Sequence, residues 1–592
     1  MSVARLAVMQ AAVAAVLVAT AWAAGRGTVR LLRLPPQAVP ASLTLTAGVM
    51  AVAQAALILG LVGLLQAPLI GAIAGAGCAA AAWDLVRAPP RRAAIGVGLA
   101  CLLIAGPGAA LTLYPPLGFD QTMYHLPMAR AFAATGGVPF LPALRYPIFP
   151  PLAEVLNAAI LTLSGDVATQ AAGWLALAAT LGVVFGWARH GSTPAAGWVA
   201  AAIVGGSPLA WYLASTGYVE PLLGLFGAAA CLAADRARRD PHLGWLLLAG
   251  ALAGSAAGVK YLGLYFVPAA ALIAAAGPPW SDAVRRAAVV AAAAALALAP
   301  SYGRLLIHTG NPLFPFYPEL FGASPWVAES FLGRRGADRL VAASLALWDA
   351  AFRPERIGAL PVLSPAVALG LPVVVVALRR PAVAVAAAVT VGFLAVAPVH
   401  AHYLLAIVPI WSVAIGAAAG ALGGPTPAGR AVVVLAAGGL IAWGGSITIG
   451  RIQALGPPPA DAASRDRLLA GQRPLYRAVQ FLNRTAPGVV VYGVGAENMV
   501  DDRIGPLLGD HNGPVSHARM QARVLARGGV AAALDEIGAG FLLVREDGSV
   551  WAQWARTDPR LVPVYADGHG SVYRVSPAAP ADRGSGAPPR PD

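Results

Sequence analysis

Acidic, basic and aromatic side chains crowd into one stretch of an otherwise apolar chain, YPPLGFDQTMYHLPMARAFAATGGVPFLPALRYPIFPPLAEVL, from Tyr114 to Leu156. Asp120, Gln121, Tyr124, His125, Arg130, Arg145, Tyr146 and Glu154 all fall within it. A carboxylate such as Asp120 can take a proton from an attacking hydroxyl as a general base. Asp120 and Tyr124 are four residues apart, which puts them on one face if the segment is helical. Further along, Tyr218 and Glu220 open an apolar run, and Lys260, the sole lysine, sits in the break between two others. Arg304 and His308 begin a second polar stretch, SYGRLLIHTGNPLFPFYPELFG, and His400, His402 and Tyr403 lie in PVHAHYLLAIVP. Carboxylates together with Lys, Arg and His at one depth suit an anionic substrate and proton transfer at once. Singly, each has a plainer explanation. Lys260 could snorkel, two His two apart are a weak metal signal, Arg304 could be an ordinary loop arginine, and the acids of the first stretch could be solvated interfacial charges.

The elements that must position these residues are membrane helices. The chain has 592 residues, 58% of them hydrophobic and 11% charged, where a soluble protein carries about 25% charged residues. A spanning helix needs about 20 apolar residues. Such runs are expected near 7–24, 43–65, 67–85, 94–114, 167–188, 196–214, 220–235, 243–258, 261–277, 287–303, 361–378, 381–398, 403–421 and 431–449. The run at 7–24 is long for a signal peptide and is read as a retained span. The net charge of +14 would point to nucleic acid in a soluble protein. Here the arginines fall between apolar runs and orient the chain instead, so no nucleic-acid partner is expected. The basic loops 25–42, 86–93, 236–242, 278–286 and Arg379-Arg380, with Arg189 and Arg430, all fall on one side if the N-terminus is outside. The alternate short loops near 66, 215–219 and 399–402 carry no Arg or Lys. This alternation holds only if the short apolar segment 150–164 lies on or dips into the outer face without spanning.

The expected class is an all-α polytopic membrane protein of about fourteen helices, with a small extracytoplasmic α/β domain at the C-terminus. Residues 1–93 form additional N-terminal helices and 94–449 the main module, with outer loops 115–166 and 304–360. The region 450–576 gains charge and shows strand-like runs at 488–494 and 540–546 with a helical stretch between them. The Pro, Ala and Gly rich tail 577–592 is expected to be disordered. VVVYGVGAEN (489–498) lacks the third glycine of a dinucleotide fingerprint. Cys78, Cys101 and Cys231 sit inside apolar runs and suit neither a disulfide nor a zinc site.

In three features the chain resembles the GT-C superfamily of integral membrane glycosyltransferases, in particular the bacterial branch related to dolichyl-phosphate-mannose–protein mannosyltransferases and lipid A sugar transferases. These are an acid early in the first outer loop (GFDQTMYHLPMARAF), a PPL segment ending that loop (Pro150-Pro151-Leu152), and GNP-x-x-P after a later span (Gly310 to Pro315). Their order and spacing fit across roughly 94–420. The resemblance implies inverting transfer of a sugar from a polyprenyl-phosphate donor to a glycan, lipid or protein acceptor at the outer face of the cytoplasmic membrane. It implies Asp120 as base, with Glu220 a second acidic catalytic position. Tyr124, His125, Arg145, Lys260, Arg304, His308, His402 and Tyr403 are the expected substrate- and phosphate-binding set. His402-Tyr403 stands where relatives often have Arg-Tyr. Many relatives carry two adjacent acids where this chain has Asp120-Gln121, so a divalent cation, Mg²⁺ or Mn²⁺, is left open. The competing class is a secondary transporter or lipid or polysaccharide flippase. Transporters usually hold their charged sites near the midplane, often between repeats, whereas these candidates cluster at the outer rim.

Overall fold

The structure, a computed structural model, describes residues 2–87, 92–190, 192–240, 242–277, 279–322, 337–358, 360–422 and 426–577. The expected tail from 578 onward, and parts of the loops 86–93 and 304–360, lie outside the described residues.

Each expected span overlaps helix, though 361–378 begins as non-helical chain and holds two short helices, Ala366–Leu369 and Leu371–Ala377. Among the described residues, seven helices are long and apolar enough to cross a membrane: Val3–Leu31, Ala41–Leu61, Ala67–Arg87, Arg92–Leu111, Asp166–Arg189, Trp280–Thr309 and Pro427–Leu455. They become eight if Pro194–Gly205 and Pro208–Ser215, bent by 61° at Gly206-Ser207, are one broken span. The count of fourteen is therefore not reached by length and composition. Helices such as Leu243–Val259, Pro381–Val396 and Val408–Leu422 have 17, 16 and 15 residues. At about 1.5 Å per residue they fall short of a hydrocarbon core of about 30 Å. Leu243–Val259 and Val408–Leu422 are buried along most of their length, and helices surrounded by protein need not bridge the bilayer alone. The segment 150–164 is the helix Leu152–Leu163, 12 residues long and largely buried.

Close packing rests on small residues, as membrane interiors require. Gly250 and Gly254 in Leu243–Val259 leave no room for a Cβ against the backbone of Val290 and Ala294 on the facing helix, and Gly25 and Gly48 abut across the first two helices. This crossing fixes the end of Leu243–Val259, and with it Lys260, which follows directly. One large apolar cluster fills the membrane module.

The loops expected on one side do meet at one end. Arg26 and Arg30 both pair with Asp84, at 2.8 and 2.7 Å. Gly244 packs on Leu32 O and Gly277 on Arg238 O, and Arg286 donates to Pro279 O at 2.9 Å.

The C-terminal domain carries five strands: β1 (Val491–Val494), β2 (Leu507–Gly509), β3 (Phe541–Arg545), β4 (Leu561–Ala566) and β5 (Gly570–Val575). They form one mixed sheet in the order β2-β1-β3-β5-β4, with β1 parallel to β2 and β3, and β5 antiparallel to β3 and β4. The two strand-like runs of the sequence contain the central strands β1 and β3, which are mostly buried and apolar apart from exposed Arg545 at the end of β3. Helices Pro514–Arg527 and Val530–Asp535 lie between them in sequence.

Candidate active site

The first outer loop is organised by a break in helical geometry. After Arg92–Leu111 the chain passes Pro115-Pro116, where proline prevents helix continuation. Residues Gln121–His125 then form a single π-turn that runs into Leu126–Thr135. Such wide turns are frequent at functional sites. Gly118 N donates to Gln121 Oε1 at 3.2 Å. Gly118 and Gly217 are required by proximity, since a Cβ would strike Thr216 O or the Gln121 side chain, and Gly217 adopts φ +66°. The loop 215–219, leading into Glu220, is thereby locked against the turn.

Asp120 opens the π-turn and is half-buried. Tyr124 Oη donates to Asp120 Oδ2 at 3.2 Å, so the two share a face as their spacing implied. The Tyr124 ring lies 4.8 Å from that of Tyr146. Burial first, and the Asp120 charge second, push the Tyr124 phenol well above its ordinary value. It therefore stays protonated and remains a donor.

The second half of the site comes from three helix ends. Glu220 lies in the first turn of Glu220–Arg239, and Lys260 caps the C-terminus of Leu243–Val259. Each charge is favourable with its own helix dipole. Lys260 Nζ donates to Glu220 Oε1 at 2.6 Å, with both groups buried. His402 Nε2 stands 3.8 Å from the same carboxylate oxygen, and the Tyr403 ring lies 4.8 Å from the Lys260 ammonium. Asp120 and Glu220 both lie within electrostatic reach of Tyr124, Lys260 and Tyr403. The two halves thus form one group: Asp120, Tyr124, Glu220, Lys260, His402 and Tyr403.

Two further sequence candidates border this group: His125 packs on Tyr124 with ring centroids 4.0 Å apart and lies within electrostatic reach of His402, and Arg145 lies within reach of Tyr403. His125 Nδ1 meets Glu154 Oε1 at 2.5 Å, with both side chains buried. Arg304 gives its donors to backbone carbonyls, Nε to Val138 O at 2.8 Å, Nη2 to Pro139 O at 2.6 Å and Nη1 to Phe149 O at 3.4 Å. It stitches the first outer loop to Ala283–Thr309. A buried guanidinium must satisfy its donors, and the loop carbonyls do so. His308 is exposed and stacks on Phe140 with ring centroids 6.1 Å apart. Arg145 reaches Glu497 of the C-terminal domain at 3.4 Å.

That domain's part in the site was not legible. Asp501 N donates to Thr122 O of the π-turn at 3.1 Å. Arg130 bridges Asp501 at 2.7 Å and Asp166 at 2.9 Å. Buried Arg473 binds both Asp502 and Pro116 O. A cavity of about 220 Å³ opens between the domain and Phe119, with Glu497, Asn498 and Arg545 in its wall. Only the added charge of the region was visible in sequence, and that carries no information about docking.

Among the described residues no three of His, Cys, Asp and Glu gather to hold a metal. Gln121, where many relatives have a second acid, commits its amide oxygen to Gly118.

The fold is that of a multi-pass helical membrane protein. Residues 149–303 match the family model described as dolichyl-phosphate-mannose-protein mannosyltransferase. That interval holds Glu220 and Lys260 and stops one residue before Arg304, while Asp120 precedes it. No curated protein matches the chain by sequence. Among solved structures, ArnT from Cupriavidus metallidurans in the apo state is 18% identical with a TM-score of 0.53. ArnT bound to undecaprenyl phosphate is 17% identical with a TM-score of 0.51, and each alignment covers 81% of this chain and 97% of the other. The Archaeoglobus fulgidus oligosaccharyltransferase, in complex with Zn and sulfate, is 12% identical with a TM-score of 0.47 over 80% of this chain and 73% of its own. The GT-C resemblance read from the sequence therefore stands, and the chain has that superfamily's fold.

Proposed function

We propose that the protein transfers a sugar from a polyprenyl-phosphate-linked donor to an acceptor hydroxyl on the outer face of the cytoplasmic membrane. The observation that carries this reading is a half-buried carboxylate, Asp120, within electrostatic reach of a buried ammonium, Lys260, which is itself paired to Glu220 at one end of the helices. The match of residues 149–303 to mannosyltransferases that use a lipid-phosphate sugar supports it, as does the undecaprenyl phosphate bound to a protein of the same fold.

In the proposed step, the acceptor hydroxyl attacks the anomeric carbon while Asp120 takes its proton. The bond from that carbon to the phosphate oxygen breaks, and its electron pair leaves with the polyprenyl phosphate. A single displacement inverts the anomeric centre. Lys260 spends one of its three N–H groups on Glu220 and turns the others to the departing phosphate. Glu220, His402 and the Tyr403 face hold the ammonium in place. Tyr124 orients Asp120. A fixed charge aimed at a developing anion is often the largest catalytic contribution, and general-base help adds about 10²–10⁴-fold. The cavity beside Phe119 would receive the acceptor, a polar glycan, lipid or protein group facing Glu497 and Asn498.

Asp120→Asn tests the reading. The variant is expected to lose at least about 10²-fold in transfer from polyprenyl-phosphate sugars, while its thermal unfolding stays that of the native protein. Full activity in the variant would remove Asp120 as the base.

A further inference from the structure

At the face opposite this site, three chain segments aim cations at one cavity. Helix Glu220–Arg239 carries Glu220 at one end and Arg236, Arg238 and Arg239 in its last turn. Its 20 residues put about 30 Å between the two ends. The cavity, about 250 Å³, is lined by Arg238 and Arg239, by His190 and Ser192 just past Asp166–Arg189, and by Arg380 at the start of Pro381–Val396. Arg189 and Arg236 lie within electrostatic reach of His190. The local carboxylate is Asp235, buried and bound to Arg238 at 2.7 Å and Arg239 at 2.8 Å. Three guanidinium groups, those of Arg238, Arg239 and Arg380, thus line the cavity, and two of them are paired to one buried acid. Burial, then Arg236 and Arg239, hold His190 down at about 4, so its ring stays neutral. Among the described residues, Ser192 Oγ and Arg236 Nε are buried with no hydrogen-bond partner.

Membrane orientation accounts for arginines on this side. It requires a count of charges only. It does not require that they converge on one concavity or leave buried donors unsatisfied, which is costly. Guanidinium forks match phosphate oxygens in geometry as well as charge, and basic pockets between membrane helices take anionic headgroups.

We propose that this cavity binds a phosphate-bearing anion, held by Arg238, Arg239 and Arg380, with the Ser192 hydroxyl donating to it. An anionic phospholipid headgroup and a free phosphate share this chemistry. The site is separate from the transfer reaction and stands whether or not that reading holds.

The test is a thermal-shift titration of the delipidated full-length protein in detergent with phosphatidylglycerol, phosphatidylcholine and inorganic phosphate. A ligand of the native state raises the melting temperature saturably. Phosphatidylglycerol or phosphate is expected to do so, and phosphatidylcholine is not. Arg380→Gln removes an exposed cation without touching the Asp235 pairs. It is expected to raise the half-saturating concentration about fivefold, in line with the strength of one such charge at a membrane surface. Arg353→Gln, an exposed arginine of the His400 end, should leave it unchanged. Saturation by the phospholipid alone assigns a headgroup, and saturation by phosphate alone assigns a soluble anion. If both saturate, the phosphate group itself is the ligand. No saturable shift with either, or an Arg380→Gln titration identical to the native one, overturns the proposal.

Discussion

Removing one member of the Glu220–Lys260 pair and removing both are different experiments. Lys260→Met alone leaves a buried carboxylate without its cation, and breaking a buried pair from one side costs about 3–5 kcal/mol. Loss of activity in that variant would confound folding with chemistry. Replacing both, Glu220→Gln with Lys260→Met, keeps shape and removes the stranded charge, and such replacements are often neutral in stability. The double variant is expected to unfold within a few degrees of the native protein, yet to fall by about 10²-fold or more in sugar transfer because the leaving phosphate has lost its cation. Near-native transfer by the double variant would reduce the pair to a structural device. These residues also mark what could be read without a structure. Asp120 with Tyr124 was legible because a four-residue spacing is a local rule, and the structure joins them at 3.2 Å. Glu220 and Lys260 were singled out one at a time. Their pairing was hidden because it depends on how two helices pack, with a separation of 40 residues. The anchoring of Arg304 was hidden for a related reason. The carbonyls that absorb it belong to residues 138, 139 and 149, and no pattern in the chain announces a carbonyl's direction.

At the scale of elements, hydropathy located the helices because apolar length is the dominant signal in a membrane chain. Hydropathy alone does not separate a full span from a shorter buried helix, because both are equally apolar. The docking of the C-terminal domain was invisible, since it is made by a few polar contacts from separate turns. His511 is one of them. It is fully buried, with Nε2 3.3 Å from Ala143 O of the first outer loop, and Asn512 donates to the same carbonyl at 2.9 Å. Burial holds the His511 imidazole down at about 4, whereas an unfolded histidine titrates near 6.5. The unfolded state therefore binds more protons between these values, and stability rises with pH across that window. The penalty is absent above about pH 6.5, grows on acidification and saturates below about pH 4. Between pH 7 and pH 5 it amounts to about 2 kcal/mol. Asp501 and Asp502, raised by burial despite their arginines, titrate in the opposite sense. The comparison with His511→Gln isolates the imidazole. The native protein is expected to lose more thermal stability than the variant between pH 7 and pH 5, and equal losses would show that the ring protonates without cost.

For the whole molecule, the two ends of the helix bundle differ in kind. One gathers Asp120, Glu220, Lys260 and His402 beneath the C-terminal domain, and the other gathers the arginine loops around Asp84 and Asp235. This segregation is what the arginine spacing implied, and it makes the reading of 150–164 decisive. The helix Leu152–Leu163, with 12 residues, reaches about 18 Å and cannot by itself cross a core of about 30 Å. If it did cross, every later loop would change sides and the arginines after it would face outward. Because arginine-rich loops are retained in the cytoplasm, the bundle should sit with the C-terminal domain and the Asp120 site outside, where a lipid-phosphate sugar is available and a nucleotide sugar is not. Two exposed positions decide it: His569 in the β4–β5 turn and Ser281 in the loop before Ala283–Thr309. In intact cells, His569→Cys is expected to react with a membrane-impermeant maleimide, and Ser281→Cys is expected to react only after permeabilisation. The reverse pattern would place the transfer site on the side of the nucleotide sugars and remove the reason for a polyprenyl-phosphate donor.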